Sequence, residues 1–225
     1  MPPRRAWYAV RLVIDCSALV FDMDGLMVDS EPLWFAVERE FARVRGGDWT
    51  QELALTCVGQ GTPHTLREMQ RMFGFAVDVE RDARAVAEMF ILRVQELALK
   101  PGFEELLAAG LGAGLPCSVA SSSARKLVES TLRRFGVLDR FVTVTTGDDV
   151  QRHKPAPDVF LLAAERLGVA PGACVVLEDS MAGVRAARAA GMRVVAVPER
   201  DAARFAGLAD AVVDDLHGAR AWLGL

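Results

Sequence analysis

Short apolar runs alternate repeatedly with longer amphipathic stretches along this sequence, and this pattern limits the folds that it can adopt. The apolar runs cover residues 18–21, 117–120, 141–144, 173–177, 194–197 and 211–213. They are rich in Val, Leu and Ala, as expected for strands that are buried on both faces of a parallel sheet. The amphipathic stretches between them include residues 124–135, 157–167 and 183–190. This alternation predicts an α/β fold with a doubly wound parallel sheet.

One segment breaks the alternation, because residues 31–99 contain helical patterns and no convincing strand. These patterns cover residues 33–44, 65–73 and 81–97. We therefore expect a small all-helical cap domain over residues 32–99, which we call the cap segment. It would be inserted after the first strand of a core domain that comprises residues 1–31 and 100–225.

Charge and hydropathy exclude several classes of partner. The chain has 26 Lys and Arg against 30 Asp and Glu, a formal net charge of −4, so it lacks the basic footprint of a nucleic-acid-binding protein. The apolar N-terminal stretch is interrupted by Arg11 and Asp15 and is too broken for a signal peptide or a membrane span. We expect a cytoplasmic protein with no membrane partner and favour a monomer. Composition leaves open whether residues 1–17 are ordered.

The strongest motif is a pair of aspartates at the end of the first predicted strand. Asp22 and Asp24 lie two residues apart, so their side chains point the same way on an extended segment. Gly25 then permits a tight turn. In open α/β sheets this carboxyl end of the strands is where ligands bind, and two adjacent carboxylates favour a cation nearby. The alternative is an ordinary strand that ends in an Asx/Gly turn.

Two later motifs could bind an anion. Ser121 and Ser122 follow the second predicted strand and precede a helix, whose N-terminal N–H groups attract anions. Plain N-capping explains these serines equally well. Lys154 lies in a proline-rich loop that could hold its ammonium near a phosphate, although a solvated surface lysine is the ordinary alternative.

Acidic residues also end a later apolar run. Glu178 and Asp179 would emerge at the same edge of the sheet as Asp22 and could complete an oxygen cage for a hard cation. Alternatively, they could simply favour the N-terminus of the next helix. Because all four motifs fall at carboxyl ends of predicted parallel strands, coincidence is the weaker explanation.

In order and spacing, the motifs resemble those of the haloacid dehalogenase superfamily of phosphohydrolases. They are Asp22-Met23-Asp24-Gly25, Ser121, Lys154 and Glu178-Asp179, and together they span nearly the whole chain. The run from Phe21 to Trp34 and the helical cap segment are similar to the branch that contains β-phosphoglucomutase and small sugar-phosphate phosphatases.

The resemblance implies a role for each motif. Asp22 would be the nucleophile that forms an aspartyl-phosphate, and Asp24 would be the general acid and base. Ser121, Ser122 and Lys154 would hold phosphoryl oxygens. Mg²⁺ would be the cofactor, bound by Asp22, the Asp24 backbone carbonyl and Asp179, with help from Glu178. The substrate would be a small phosphorylated metabolite, and sugar phosphates are the expectation for this family.

The cap segment favours a phosphatase over a phosphomutase. Where the mutase pattern has a histidine, this chain has Trp34, and where it has an arginine after a glycine loop, this chain has Thr62. Arg67 lies one helical turn further on and could substitute for that arginine. Gly59 and His64 are further candidates for substrate contact, although a flexible turn and an exposed loop histidine explain them equally well. A phosphomutase and a non-catalytic phosphate-binding protein remain the alternatives.

Overall fold

A computed structural model describes residues 16–225, and its centre is a six-stranded sheet with the order β3-β2-β1-β4-β5-β6 in this part of the chain. All neighbouring strands are parallel. The strands are β1 (Ala18–Phe21), β2 (Cys117–Ala120), β3 (Thr143–Thr145), β4 (Cys174–Glu178), β5 (Arg193–Ala196) and β6 (Ala211–Val212). The predicted α/β class and parallel sheet are confirmed. The N-terminal residues 1–15, which were assigned to the core domain, lie outside the described residues.

Strand β1 illustrates why these residues form a central strand. Leu19 and Phe21 pack into one apolar cluster, whereas Ala18 and Val20 pack into a second cluster on the other face of the sheet. All four residues are fully buried. This period of two is the geometry of a strand that is covered on both sides.

The helices that complete the fold are α1 (Glu31–Arg43), α2 (Gln51–Leu55), α3 (Thr62–Phe73), α4 (Val79–Ile91), α5 (Phe103–Gly112), α6 (Arg125–Arg134), α7 (Asp158–Leu167), α8 (Met181–Ala189) and α9 (Leu216–Leu223). Helices α1 to α4 fall in the segment that was predicted to lack strands. The exact division into a core domain and a cap domain stays a prediction. In residues 16–225, no helix combines the length and the apolar character that crossing a bilayer requires.

Several elements differ from the sequence pattern; the helical pattern of residues 81–97, for example, corresponds to α4 (Val79–Ile91) and a 3₁₀ turn at Val94–Glu96. Strand β3 begins at Thr143, two residues later than predicted, because Phe141 ends a 3₁₀ turn and packs its ring against Phe21 at 5.9 Å. Helix α3 already begins at Thr62, where Pro63 suits the first turn. Helix α2 was not predicted, since it is too short to show a period; the Thr50 side chain caps it by accepting a bond from Leu53 N at 3.4 Å.

Apolar packing links the cap segment to the sheet. Trp34 on α1 stacks at a tilt against Phe90 on α4, with 4.4 Å between ring centroids. Helix α4 also packs against α6, the helix that follows β2. Phe90 and Leu33 belong to the same buried cluster as Phe21. The cap helices therefore lie over the carboxyl ends of the strands.

Candidate active site

The register of the sheet brings the acidic motifs to one edge. Phe21 pairs with Leu177, so Asp22 and Glu178 are the next residues on their neighbouring strands. The backbone N–H of Asp22 donates to Leu177 O at 3.0 Å, which fixes this arrangement. Phe21 also pairs with Val119 on the other side, so Ser121 follows at the same edge.

The turn after Asp22 depends on a glycine. Gly25 has a φ of +80°, a conformation that other residues rarely adopt. A β-carbon at this position would also collide with the carboxylate of Asp179. The glycine therefore lets the first and fourth motifs approach each other closely.

Lys154 lies at the centre of the acidic group and is only 2% exposed. Its Nζ donates to Asp22 Oδ1, to Glu178 Oε1 at 2.7 Å and to the Ala120 carbonyl at 3.2 Å. The other oxygen of Glu178 accepts bonds from the N–H and Oγ of Ser180, at 2.7 and 3.0 Å. Although burial disfavours the ammonium, the two carboxylates outweigh it and raise the pKa of Lys154 above its usual range.

Asp22, Glu178 and Asp179 form the only carboxylate group with metal-binding geometry in residues 16–225, since one oxygen from each lies within 4.8 Å of the others. Burial raises the pKa of Asp22 well above its ordinary value; Lys154 opposes this shift and Glu178 adds to it. Burial, together with repulsion from Glu178 and Asp22, likewise raises the pKa of Asp179. Three buried carboxylates with one ammonium carry a net negative charge, so this set of oxygen donors fits a hard divalent cation.

Asp24 is held by donors from two parts of the chain. Its Oδ1 accepts a bond from Trp34 Nε1 at 2.8 Å, and its Oδ2 accepts bonds from Ser123 Oγ at 2.8 Å and Ser121 Oγ at 3.4 Å. Sequence reasoning missed Ser123, which it could have suspected only from the run of three serines. The arrangement orients the Asp24 carboxylate beside Asp22.

The second serine of this run joins the core to the cap segment. Ser122 Oγ donates to the Gly59 carbonyl at 3.2 Å instead of lying free to bind an anion. Gly59 and Gly61 both have positive φ, and a β-carbon at Gly59 would collide with the Ser180 side chain. These glycines permit the close approach of the cap loop to the core.

A cavity of about 270 Å³ lies between the edge of the sheet and the cap segment. Its wall includes Asp22, Asp24, Ser30, Asp179, Ser121, Ser122 and Ser123 from the predicted core, and Trp34, Glu38, Cys57, Gly59, Thr62 and Thr65 from the cap segment. His64 and Arg67, which were candidates for substrate contact, are not among the lining residues, and Arg67 is exposed.

Sequence reasoning also missed Glu38, which lines the cavity although it is only 8% exposed. Trp49 Nε1 donates to Glu38 Oε2 at 3.0 Å, and the Thr65 side chain provides a second hydrogen bond. Burial raises the pKa of Glu38 to about 7, and these two hydrogen bonds only partly oppose the shift. A charged residue at the helical spacing of Trp34 and Phe41 was the available signal, because that spacing defines a buried face.

Comparison with known proteins gives a consistent family. A model described as haloacid dehalogenase-like hydrolase matches residues 19–197. YhcW of Bacillus subtilis, named as a candidate phosphatase, is 36% identical over 188 residues, which cover 81% of this chain and 84% of YhcW. Hexitol phosphatase B of Escherichia coli is 33% identical over 202 residues, which cover 82% of this chain and 85% of that protein.

A solved structure agrees with these relatives. The crystal structure of a CbbY variant from Rhodobacter sphaeroides, in complex with xylulose-(1,5)bisphosphate, superposes with a TM-score of 0.78. Its sequence is 31% identical, and the match covers 89% of this chain and 95% of that one.

Proposed function

This chain belongs to the haloacid dehalogenase-like hydrolase family and is a phosphoric monoester hydrolase, and we propose that it uses Mg²⁺ and an aspartyl-phosphate on Asp22 to hydrolyse a sugar or polyol phosphate. One observation carries the proposal above all: Asp22 lies within a buried group of carboxylates that a single lysine only partly neutralises. Such a group is costly for a folded protein unless a bound cation compensates its negative charge.

Two carboxylates are the best candidates for metal ligands. Asp22 and Asp179 would hold Mg²⁺, with the main-chain carbonyl of Asp24 as a further ligand. Both oxygens of Glu178 already accept hydrogen bonds, so we give it the role of orienting Lys154 before that of a direct ligand. Bound Mg²⁺ would supply the positive charge that lets an anionic phosphate approach a carboxylate.

In the first step, a carboxylate oxygen of Asp22 bonds to phosphorus while the bond from phosphorus to the alcohol oxygen breaks. The ammonium of Lys154, which donates a hydrogen bond to Asp22, would also attract the phosphoryl oxygens, and the Ser121 hydroxyl could donate a hydrogen bond to them. Since phosphoryl transfer depends mainly on position and charge, these contacts are the kind of assistance that the reaction needs.

Asp24 would give its proton to the departing alcohol oxygen and later take one from the water that attacks the phosphorus. Trp34 and Ser123 hold its two oxygens in place. An indole N–H can only donate a hydrogen bond, so Trp34 can orient Asp24 but cannot relay a proton.

The lining of the cavity supports water rather than a second sugar phosphate as the acceptor. A phosphomutase of the β-phosphoglucomutase type has to hold a second phosphate at the cap. Among the described residues that line this cavity, Arg200 is the only cation, and it lies within 3.8 Å of Glu31 and 3.7 Å of Glu199. The names of hexitol phosphatase B and of the CbbY complex make hexitol and pentulose phosphates the first substrates to test. A cytoplasmic location and a monomeric state stay predictions from the sequence.

The experiment is a phosphate-release assay on hexitol, hexose and pentose phosphates and p-nitrophenyl phosphate, with Mg²⁺ and then with EDTA. We expect Mg²⁺-dependent release that Asp22→Asn abolishes, with Asp139→Asn as the control, because Asp139 is an exposed aspartate outside the cavity. Release that survives in Asp22→Asn would contradict the proposed nucleophile. Isomerisation of β-glucose 1-phosphate without net phosphate release would favour the mutase instead.

A further inference from the structure

The part of the cavity furthest along α1 from Asp24 has a wall that presents a carboxyl, a hydroxyl and a thiol group. Trp34 donates to Asp24, and Glu38 lies four residues further along the same helix, about 6 Å away along its axis. Thr65 from α3 and Cys57 from the loop before it line the cavity with Glu38. Asp22, Asp24 and Glu38 line one continuous cavity, so a leaving group that extends along α1 from a phosphate at Asp22 would reach Glu38.

Glu38 is fixed in position but still has room for another hydrogen bond. Trp49 and Thr65 each provide one bond to its carboxyl group. A carboxylate has about four acceptor positions, so two donors leave capacity for a ligand. A long glutamate side chain that is held in this way loses little further freedom when it binds a ligand.

An independent observation also indicates a ligand. Ser30, which precedes α1, lines the same cavity, is fully buried, and its Oγ makes no hydrogen bond within the described residues. Leaving a buried hydroxyl without a partner costs roughly 1–3 kcal/mol. Ser30 lies eight residues before Glu38, about 12 Å away along α1, so a second hydroxyl of a bound substrate would have to satisfy it.

The charges along the whole cavity lining select among substrates. Glu38 and Glu31 are both lining residues, and the Arg200 guanidinium is shared between Glu31 and Glu199. A second phosphate near Glu38 would face a carboxylate without a cation of its own, whereas neutral hydroxyls would find hydrogen-bond partners.

We propose that Glu38 is a specificity-determining residue that hydrogen-bonds a hydroxyl of the leaving group, with Ser30 as a second contact, and that the substrate is a polyhydroxylated monophosphate rather than a bisphosphate. This inference rests on the proposed function, because it assumes that the phosphate is cleaved at Asp22. A purely structural role for Glu38, that of anchoring Trp49, is the competing explanation.

The test compares kcat/KM for a hexitol monophosphate with kcat/KM for p-nitrophenyl phosphate, whose leaving group has no sugar hydroxyls. In Glu38→Gln, whose amide oxygen can still accept the bond from Trp49, we expect this ratio to fall by about tenfold, as for one charged hydrogen bond. The loss should appear mainly in KM, since the contact exists before the transition state. For xylulose-(1,5)bisphosphate, kcat/KM relative to that for p-nitrophenyl phosphate should rise in the same variant, because the repulsion between its second phosphate and Glu38 is removed. The matched control is Glu52→Gln, an exposed cap glutamate outside the cavity, which should change neither ratio.

Ser30→Ala gives a second test that does not depend on the Glu38 variant. It should lower the hexitol ratio while the midpoint of urea unfolding stays the same or rises, because an unpartnered hydroxyl is removed. If both substrates lose activity equally in Glu38→Gln, or if neither ratio changes in either variant, Glu38 is structural and the inference is wrong. If the unmodified enzyme hydrolyses neither substrate, the proposed function itself fails.

Discussion

The stability of the acidic cluster formed by Asp22, Glu178 and Asp179 can be tested without any substrate. Asp179 lies with Asp22 and Glu178 in a group whose oxygens are within 4.8 Å of one another, and Lys154 supplies one positive charge. Two unit charges at this separation interact by about 3 kcal/mol at an effective dielectric constant of ~20. Asp179 feels repulsion from two carboxylates and attraction from one ammonium, so about one such repulsion remains.

Asp179→Asn should therefore stabilise the metal-free protein while removing its response to Mg²⁺. We expect its free energy of unfolding in EDTA to exceed that of the unmodified protein by about 1–3 kcal/mol, part of the repulsion being relieved already by proton uptake. Adding Mg²⁺ at about 100 times its dissociation constant should stabilise the unmodified protein by about 2.7 kcal/mol. The variant should gain far less, because it has lost one of the two proposed carboxylate ligands.

Equilibrium unfolding in urea, with EDTA and then with Mg²⁺, measures both effects. Asp139→Asn removes an exposed carboxylate and should behave like the unmodified protein in both conditions. The reasoning is refuted if Mg²⁺ stabilises Asp179→Asn as strongly as the unmodified protein. It is also refuted if the variant is clearly less stable in EDTA.

Three further predictions follow from other contacts. Trp34→Phe keeps the packing against Phe90 but removes the hydrogen bond that Trp34 donates to Asp24. We expect kcat to fall about tenfold, which is the value of one charged hydrogen bond. An unchanged kcat and an unchanged pH profile would contradict the role of Trp34 in orienting Asp24. Gly25→Ala should destabilise the protein by about 1–3 kcal/mol, since it combines a positive φ with a collision at Asp179; urea unfolding measures this, and an unaltered stability would contradict the close approach. Glu38, which faces the Cys57 thiol, has a pKa raised from 4.5 to about 7, so the folded state binds its proton more tightly than the unfolded chain. The stability of the unmodified protein relative to Glu38→Gln should therefore fall by up to about 3 kcal/mol as pH rises from about 4.5 to 7, and a flat difference would contradict the shift.

Much of the fold could be predicted because the buried strands carry a simple signal. The runs at β1, β2 and β5 are apolar where two faces are covered, and the predicted positions agree closely with the strands. The third apolar run begins two residues before strand β3, because Phe141 is apolar for a different reason. Its ring fills space beside Phe21 from a 3₁₀ turn, and composition cannot separate that from a strand.

Part of the candidate site could also be predicted, because the pattern of buried strands fixes where each strand ends. Asp22, Lys154 and Asp179 follow strands of a parallel sheet, and the register brings the ends of such strands together. The contact between Ser123 and Asp24 joins residues 99 positions apart, and it depends on the side-chain direction at the start of a helix. Glu38 looked like one of several charges on an amphipathic helix. Its burial comes from Trp49 and Thr65, whose positions the sequence pattern does not reveal.

Asp22 carries the phosphoryl group during turnover in the proposed mechanism, and that group can be trapped on the protein. A substrate with labelled phosphate would be mixed with the enzyme and Mg²⁺, quenched in acid within the first turnover, and the label located by peptide mapping. We expect a hydroxylamine-sensitive label on Asp22 that is absent from Asp22→Asn. Full turnover with no label on the protein, or with the label on another residue, would contradict it.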